Sequence, residues 1–258
     1  MQYDTIRYSL RDDIAIVTFR RPEVMNALNT QMRAELTHAV KSAGEEARVL
    51  VLTGKGRAFC SGQDLGDRAA VSNIDLERVL REEYEPLLRE ITDCPIPTIS
   101  AVNGAAAGAG ANLALAADVV IAAESASFLQ AFARIGLIPD AGGTYWLPRQ
   151  VGLARAMGAA LFAEPVSARQ AAEWGMIWEA VPDADFEAHW YARAAQLAQG
   201  PTAAYARIKQ AMRASFANDL EAQLDLEAHL QGEAGRTRDF KEGVLAFLEK
   251  RPARYEGR

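Results

Sequence analysis

Histidine is scarce in this chain: His38, His189 and His229 are the only three among 258 residues. They are scattered through segments of helical pattern, and none has a nucleophile or a ligand partner close by in sequence. Chemistry built on histidine therefore starts from a weak position, and each is expected to be structural or exposed. Cysteine is scarcer still. Cys60 and Cys94 are too few for a disulfide scaffold or a cysteine-rich zinc site. A basic excess is missing too: 34 acidic side chains against 28 basic ones leave a net charge of −6, which argues against nucleic acid as the main partner. No Gly-Lys-Ser/Thr phosphate loop is present, and no acidic residue stands where a dinucleotide fingerprint needs one. The start, MQYDTIRYSL, lacks the basic end and apolar core of a signal peptide, so a cytoplasmic, reducing location is expected.

One run is long enough to suggest a membrane span, because Cys94 to Ala117 carries no charge. Pro95, Pro97, Asn103, Gly104, Gly108 and Gly110 interrupt it, and it reads better as a buried strand, a glycine turn and a buried helix.

Half of the chain is hydrophobic and 24% is charged, an ordinary globular balance, and its length fits one or two domains. Ile6, Tyr8 and Leu10 alternate as in a strand, Asp12-Asp13 suggests a turn, and IAIVTF follows as a second strand. Thr30 is positioned to cap a helix whose Met32, Leu36, Ala39 and Val40 share one face. VLVLTG, IPTISAV and DVVIAA read as buried strands, and Asp75 to Arg89 as a charged helix. From Val151 onward the pattern is mostly helical, with Gln199-Gly200-Pro201 separating two helices. The expected class is α/β, with a core over residues 1–163 and a helical region over 164–258.

Three segments could carry chemistry. The loop GKGRAFCSGQDLGD, Gly54 to Asp67, follows a buried strand directly; it is a ligand loop or a plain connection. In NGAAAGAGANLALAAD, Gly108, Ala109 and Gly110 open a helix of small residues. Its free N–H groups suit a developing negative charge, although tight helix packing needs the same small residues. In FARIGLIPDAGGTYWLPR, Asp140 sits among apolar neighbours that would raise its pKa into a useful range for proton transfer. An N-cap aspartate reads equally well there.

Taken together and in this order, RPEVMNALN, GRAFCSGQDL, NGAAAGAGANLALAAD, GLIPDAGGTYWLPR, SARQAAEWGMIWEAV and EGVLAFLEKR resemble the crotonase, or enoyl-CoA hydratase/isomerase, superfamily along essentially the whole chain. The resemblance implies a crotonase-like spiral of ββα units, a helical C-terminal trimerisation region, and an acyl-CoA thioester substrate held by two backbone N–H groups. By position these donors would be Gln63 and Ala109, with Gly110 one residue away as the alternative. Ser61, Gly62, Asp64 and Gly108 would line the thioester and CoA site. The two glutamates that hydratases use fall on Asn112 and Phe132, neither of which can transfer a proton.

Asp140 is left as the acid/base residue, and the implied activity is isomerisation. The likeness is strongest to members that convert ring-1,2-epoxyphenylacetyl-CoA to oxepin-CoA and shift 3,4 double bonds to 2,3. Members acting on fatty-acyl chains, as Δ3,Δ2-enoyl-CoA isomerases or enoyl-CoA hydratases, are the nearest rivals; a non-catalytic CoA-binding scaffold is the alternative of another class. Phe132 and Tyr145 are expected against the acyl group, with Phe128, Trp146 and Tyr84 as further candidates. Lys55, Arg57, Lys241 and Lys250 are candidates for the CoA phosphates. No metal or redox cofactor is expected, and a homotrimer or dimer of trimers is the implied assembly.

Overall fold

A computed structural model describes residues 3–66 and 75–257 of the chain. The last residue of the first candidate loop, Asp67, and the first two residues of the MQYDTIRYSL start lie outside the described residues.

Two sheets are wound by a repeating order of elements. The larger contains β1 (Ile6–Arg11), β2 (Ile14–Phe19), β3 (Val49–Gly54), β5 (Thr98–Val102), β7 (Val119–Ala123) and β10 (Glu179–Val181), side by side in that order. Only the β1–β2 pair is antiparallel. The smaller contains β4 (Ala58–Cys60), β6 (Ala105–Ala107), β8 (Ser127–Leu129) and β9 (Val166–Ser167), parallel until the last pair. Each turn of the chain thus gives a long strand to one sheet, a short strand to the other, and then a helical segment. That is the ββα spiral the sequence resemblance implies.

The strands are apolar on both faces because both faces are covered. Successive side chains of β3 alternate sides: Val49 and Val51 join one buried cluster, Leu50 and Leu52 another. The first cluster is closed by Phe186, Trp190, Ala194 and Ala198 on a later helix, α8 (Phe186–Ala198). The second is closed by Met32, Leu36, Ala39 and Val40 of α1 (Thr30–Glu46), at the spacing of one helical face. The cap of α1 is Asn29, whose side chain accepts from the Met32 N–H at 2.9 Å; Thr30, expected as the cap, is the first helical residue instead.

Between the sheets' strands run α2 (Leu76–Val79), a π-helical turn Leu80–Tyr84, α3 (Glu85–Asp93) and α4 (Ala109–Leu115). The uncharged Cys94–Ala117 run folds as β5, β6 and α4; sequence reading missed β6 because its three alanines carry no strand signal. No helix among the described residues is long and apolar enough to cross a membrane. The C-terminal part holds α5 (Gly143–Val151), α6 (Leu153–Phe162), α7 (Ala168–Glu173), α9 (Thr202–Ala214), α10 (Leu220–Ala234) and α11 (Arg238–Glu249). The division expected after residue 163 falls before β9 and β10, which pair with β8 and β7, so both sheets run on beyond it.

Candidate active site

The three candidate segments leave the same ends of three parallel neighbours. The chain passes from β4 into Ser61–Gly66, from β6 into Gly108, and from β8 into the 3-10 turn Ala131–Ile135 that leads to Asp140. A cavity of about 270 Å³ opens there, lined by Ser61, Gly62, Gln63, Gly108, Ala109 and Asp140. Loops at the carboxyl ends of parallel strands are a recurrent place for ligands in α/β folds.

Sterics and hydrogen bonds fix the first loop. The Gly62 carbonyl accepts from the Leu28 N–H at 2.8 Å, and the Leu28 carbonyl accepts from the Asp64 N–H at 3.1 Å. In a planar trans peptide the carbonyl and the next N–H point opposite ways. Fastening the Gly62 carbonyl to Leu28 therefore aims the Gln63 N–H away from Leu28, and that N–H has no acceptor among the described residues. Gly62 has φ +94°, and a Cβ there would lie 2.8 Å from the Ala107 carbonyl and 3.3 Å from the Ala109 nitrogen. Only glycine lets the loop come this near to the second donor. Ala109 opens α4, so its N–H has no intrahelical acceptor and adds to the positive end of the helix. Two free N–H groups thus border one cavity, the arrangement that stabilises a developing oxyanion.

Gly110 is turned elsewhere. A Cβ on it would meet the Cys60 carbonyl at 2.3 Å, so at this position the small residue serves helix packing. Asp64 is also outside the cavity lining and pairs with Arg21 at 2.8 Å.

Asp140 does not cap α5; the cap position belongs to Gly142, without a side-chain bond. The chain turns left-handed at Ala141 (φ 46°) and Gly142 (φ 80°) just beyond it. A buried alanine held at positive φ is strained backbone, a cost that clusters at functional sites. The main chain of Asp140 is held by Asn112, whose Nδ2 donates to the Asp140 carbonyl at 2.8 Å. Gln130 Nε2 in turn donates to Asn112 Oδ1 at 2.8 Å. The carboxylate itself is left alone: Oδ1 is buried with no hydrogen-bond partner among the described residues. Burial pushes its pKa up to about 6, against a weaker lowering by its own N–H. The resemblance to the family puts the two hydratase glutamates at Asn112 and Phe132. Asn112 is fully buried as a strut, and Phe132 lines the cavity with its ring tip within about 4 Å of where a Gly108 Cβ would sit. Asp140 is the only carboxylate among the described residues that line the cavity.

Sequence reading missed most of the apolar wall. Leu76, Val79, Leu80 and Tyr84 come from the helix after the loop, and Ile135 and Leu137 from the approach to Asp140. Tyr84 was a candidate; the others carry no motif, and only the fold brings them here. Tyr145 was expected against the acyl group but lies elsewhere. It stacks under the Arg149 guanidinium at 3.7 Å and, with Trp146, lines a separate groove beside α9. Phe128 is core. Lys55, Arg57, Lys241 and Lys250 do not line the cavity, whereas Arg134 does. The histidines stand away from it: His38 meets the Tyr3 hydroxyl, His189 meets Glu179, and His229 meets Glu233. Both cysteines are buried and free.

The family model described as enoyl-CoA hydratase/isomerase matches residues 10–258. A Rhodobacter capsulatus protein named "Probable enoyl-CoA hydratase" is 67% identical over the full length of both chains. The 1,2-epoxyphenylacetyl-CoA isomerase of Escherichia coli is 47% identical over 95% of each chain. Among solved structures, that of an enoyl-CoA hydratase from Bacillus anthracis is 32% identical, has a TM-score of 0.91, and spans 99% of this chain and 100% of that one. With the spiral fold, the paired N–H groups and this likeness in hand, the chain belongs to the enoyl-CoA hydratase/isomerase, or crotonase, family.

Proposed function

We propose that the protein isomerises acyl-CoA thioesters, converting ring-1,2-epoxyphenylacetyl-CoA to oxepin-CoA and shifting 3,4 double bonds to 2,3. The observation that carries this reading is a single carboxylate among the described residues of the cavity. Asp140 lines the same cavity as the two free N–H groups with a pKa raised to about 6, and the positions to which the resemblance assigns the hydratase glutamates hold an amide and a phenyl ring.

In this reading the thioester carbonyl sits between the Gln63 and Ala109 N–H groups. Asp140 takes the proton from the carbon next to the carbonyl, and the charge passes to the oxygen as an enolate. With a 3-enoyl chain the proton returns two carbons further on, which moves the double bond. With the ring epoxide, the bond between the two epoxide carbons opens into the seven-membered enol ether and the proton returns to a ring carbon. Nothing is added or lost, so the product is an isomer, and no metal or redox cofactor is required because the thioester carbonyl takes the electrons. Oxyanion donors contribute about 10²–10³ each and a positioned base about 10²–10⁴ in rate. The 47% likeness to the Escherichia coli isomerase supports the ring substrate. The name carried by the 67% identical relative favours hydration of 2-enoyl-CoA as the second reading. Hydration would have to proceed from one carboxylate where the family's hydratases use two.

The same reading includes self-assembly as a trimer or a dimer of trimers. Ile208, Met212 and Phe216 on and after α9, and Phe240, Phe247 and Leu248 on α11, are all more than half exposed. That much apolar surface on one helical region fits contact with further copies of the chain.

The test of the activity is Asp140→Asn, assayed with epoxyphenylacetyl-CoA and with a 3-enoyl-CoA. A fall of about 10²–10⁴ in kcat on both is expected. A folded variant working at the wild-type rate would remove Asp140 from the mechanism.

A further inference from the structure

The side chain of Gln63 takes no part in the reaction described above, yet it is held firmly beside the cavity. Its Oε1 accepts two hydrogen bonds, from Arg33 Nη1 at 2.9 Å and from the Tyr84 hydroxyl at 2.7 Å. Arg33 projects from α1 and is 2% exposed, an unusual setting for a guanidinium. All five of its N–H groups are used. Nη1 also reaches the Leu28 carbonyl at 2.7 Å, Nη2 reaches Thr30 Oγ1 and Glu83, and Nε reaches Glu83 at 3.0 Å. Glu83 supplies the balancing charge, and the Tyr84 ring lies under the guanidinium at 4.8 Å.

The π-helical turn makes this grip geometrically possible. The Glu85 N–H bonds to the Leu80 carbonyl, five residues back, and the widened turn lets the neighbours Glu83 and Tyr84 both face Arg33. Arg33 therefore ties together three things: the Leu28 carbonyl that anchors the loop, the Gln63 side chain, and the helix carrying the apolar wall. Burial keeps the Tyr84 phenol protonated far above the ordinary tyrosine range, so it remains a donor to Gln63 at any working pH.

We propose that Arg33 and Tyr84 are positioning residues for catalysis: by clamping the Gln63 amide side chain they hold the Gln63 N–H on the thioester oxygen. The inference rests on the proposed use of that N–H as an oxyanion donor. A donor that wanders from the oxygen costs more in the enolate than in the ground-state thioester, so the clamp acts on kcat rather than on KM.

Tyr84→Phe and Gln63→Met test it, because both keep the backbone N–H and nearly the original volume. Each is expected to lower kcat with a 3-enoyl-CoA about tenfold while KM stays within about twofold, short of the ~10²–10³ lost with a whole donor. The double variant should be no worse than Gln63→Met alone, since that change already removes the acceptor of both the Arg33 and the Tyr84 bonds. An isotope-edited infrared spectrum of bound hexanoyl-CoA needs no turnover. The thioester carbonyl band should move to lower frequency on wild type and part of the way back on each variant. A shift on wild type that both variants retain in full, or a loss confined to KM, would overturn the clamp. No shift on wild type would overturn the oxyanion reading beneath it, whereas a normal shift with an active Asp140→Asn would overturn only the base.

Discussion

Burial holds the Asp140 carboxyl near pH 6, where an ordinary aspartate has its midpoint at 3.8. Between these values the folded chain binds more protons than the unfolded one, so stability falls as pH rises through that window. Above about pH 6 the carboxylate is ionised, half-buried and unpartnered on one oxygen, and it costs roughly 1–2 kcal/mol after allowance for solvent screening. Asp140→Asn should therefore lose activity and melt at a higher temperature than wild type at pH 7. Thermal unfolding at several pH values would show the gap widening from pH 4 to pH 6 and then levelling. With Asp140 as the proposed base, the same group would set the acid limb of catalysis: kcat/KM should rise about tenfold per pH unit below about 6 and flatten above it. Asn112 makes a second residue-scale case. Its truncation to Ala leaves Gln130 Nε2 without a partner in a buried place and the Asp140 carbonyl with the Gly143 N–H alone, so a loss of about 1–3 kcal/mol in denaturant unfolding is expected, with a drop in kcat.

At the scale of elements, α4 sits where it does because Gly110 lets it rest on the Cys60 carbonyl. Gly110→Ala would push the helix start away from β4, and with it the Ala109 N–H. A loss of about 1–3 kcal/mol in stability, together with a lower kcat, is the expected outcome, measured by unfolding and by turnover of a 3-enoyl-CoA. Much of this element pattern was readable in the sequence. The long strands announce themselves by continuous apolar runs such as VLVL, and Gly200-Pro201 marks the gap between α8 and α9. What escaped was short or featureless: β6 is three alanines, and β9 and β10 are brief strands inside a helical stretch. At the site, the family resemblance pointed to Gln63, Ala109 and Asp140, and the fold brings all three to one cavity. The apolar wall and the Arg33–Gln63–Tyr84 clamp escaped because residues some 20–50 positions apart meet there only through the fold. Tyr145 was misplaced for a related reason: its neighbourhood in sequence is Asp140's, but α5 turns its side chain to the groove by α9.

The candidate site lies at the carboxyl ends of three strands of the smaller sheet, and the C-terminal helices carry exposed apolar side chains such as Met212, Phe247 and Leu248. If those helices meet other copies of the chain, sedimentation should give a mass three or six times 28.0 kDa, and a charged replacement at Phe247, which is 81% exposed, should shift it toward the single chain. In the proposed reading a site with two glutamates adds water across a double bond, whereas Asp140, the one carboxylate among the described lining residues, moves a proton. The most direct measurement compares wild-type turnover of a 3-enoyl-CoA with hydration of the corresponding 2-enoyl-CoA under the same conditions, with products identified by chromatography. Isomerisation faster by at least about 100-fold, a gap of the size one missing acid/base group produces, is the predicted result. Hydration at a comparable or greater rate would contradict the account.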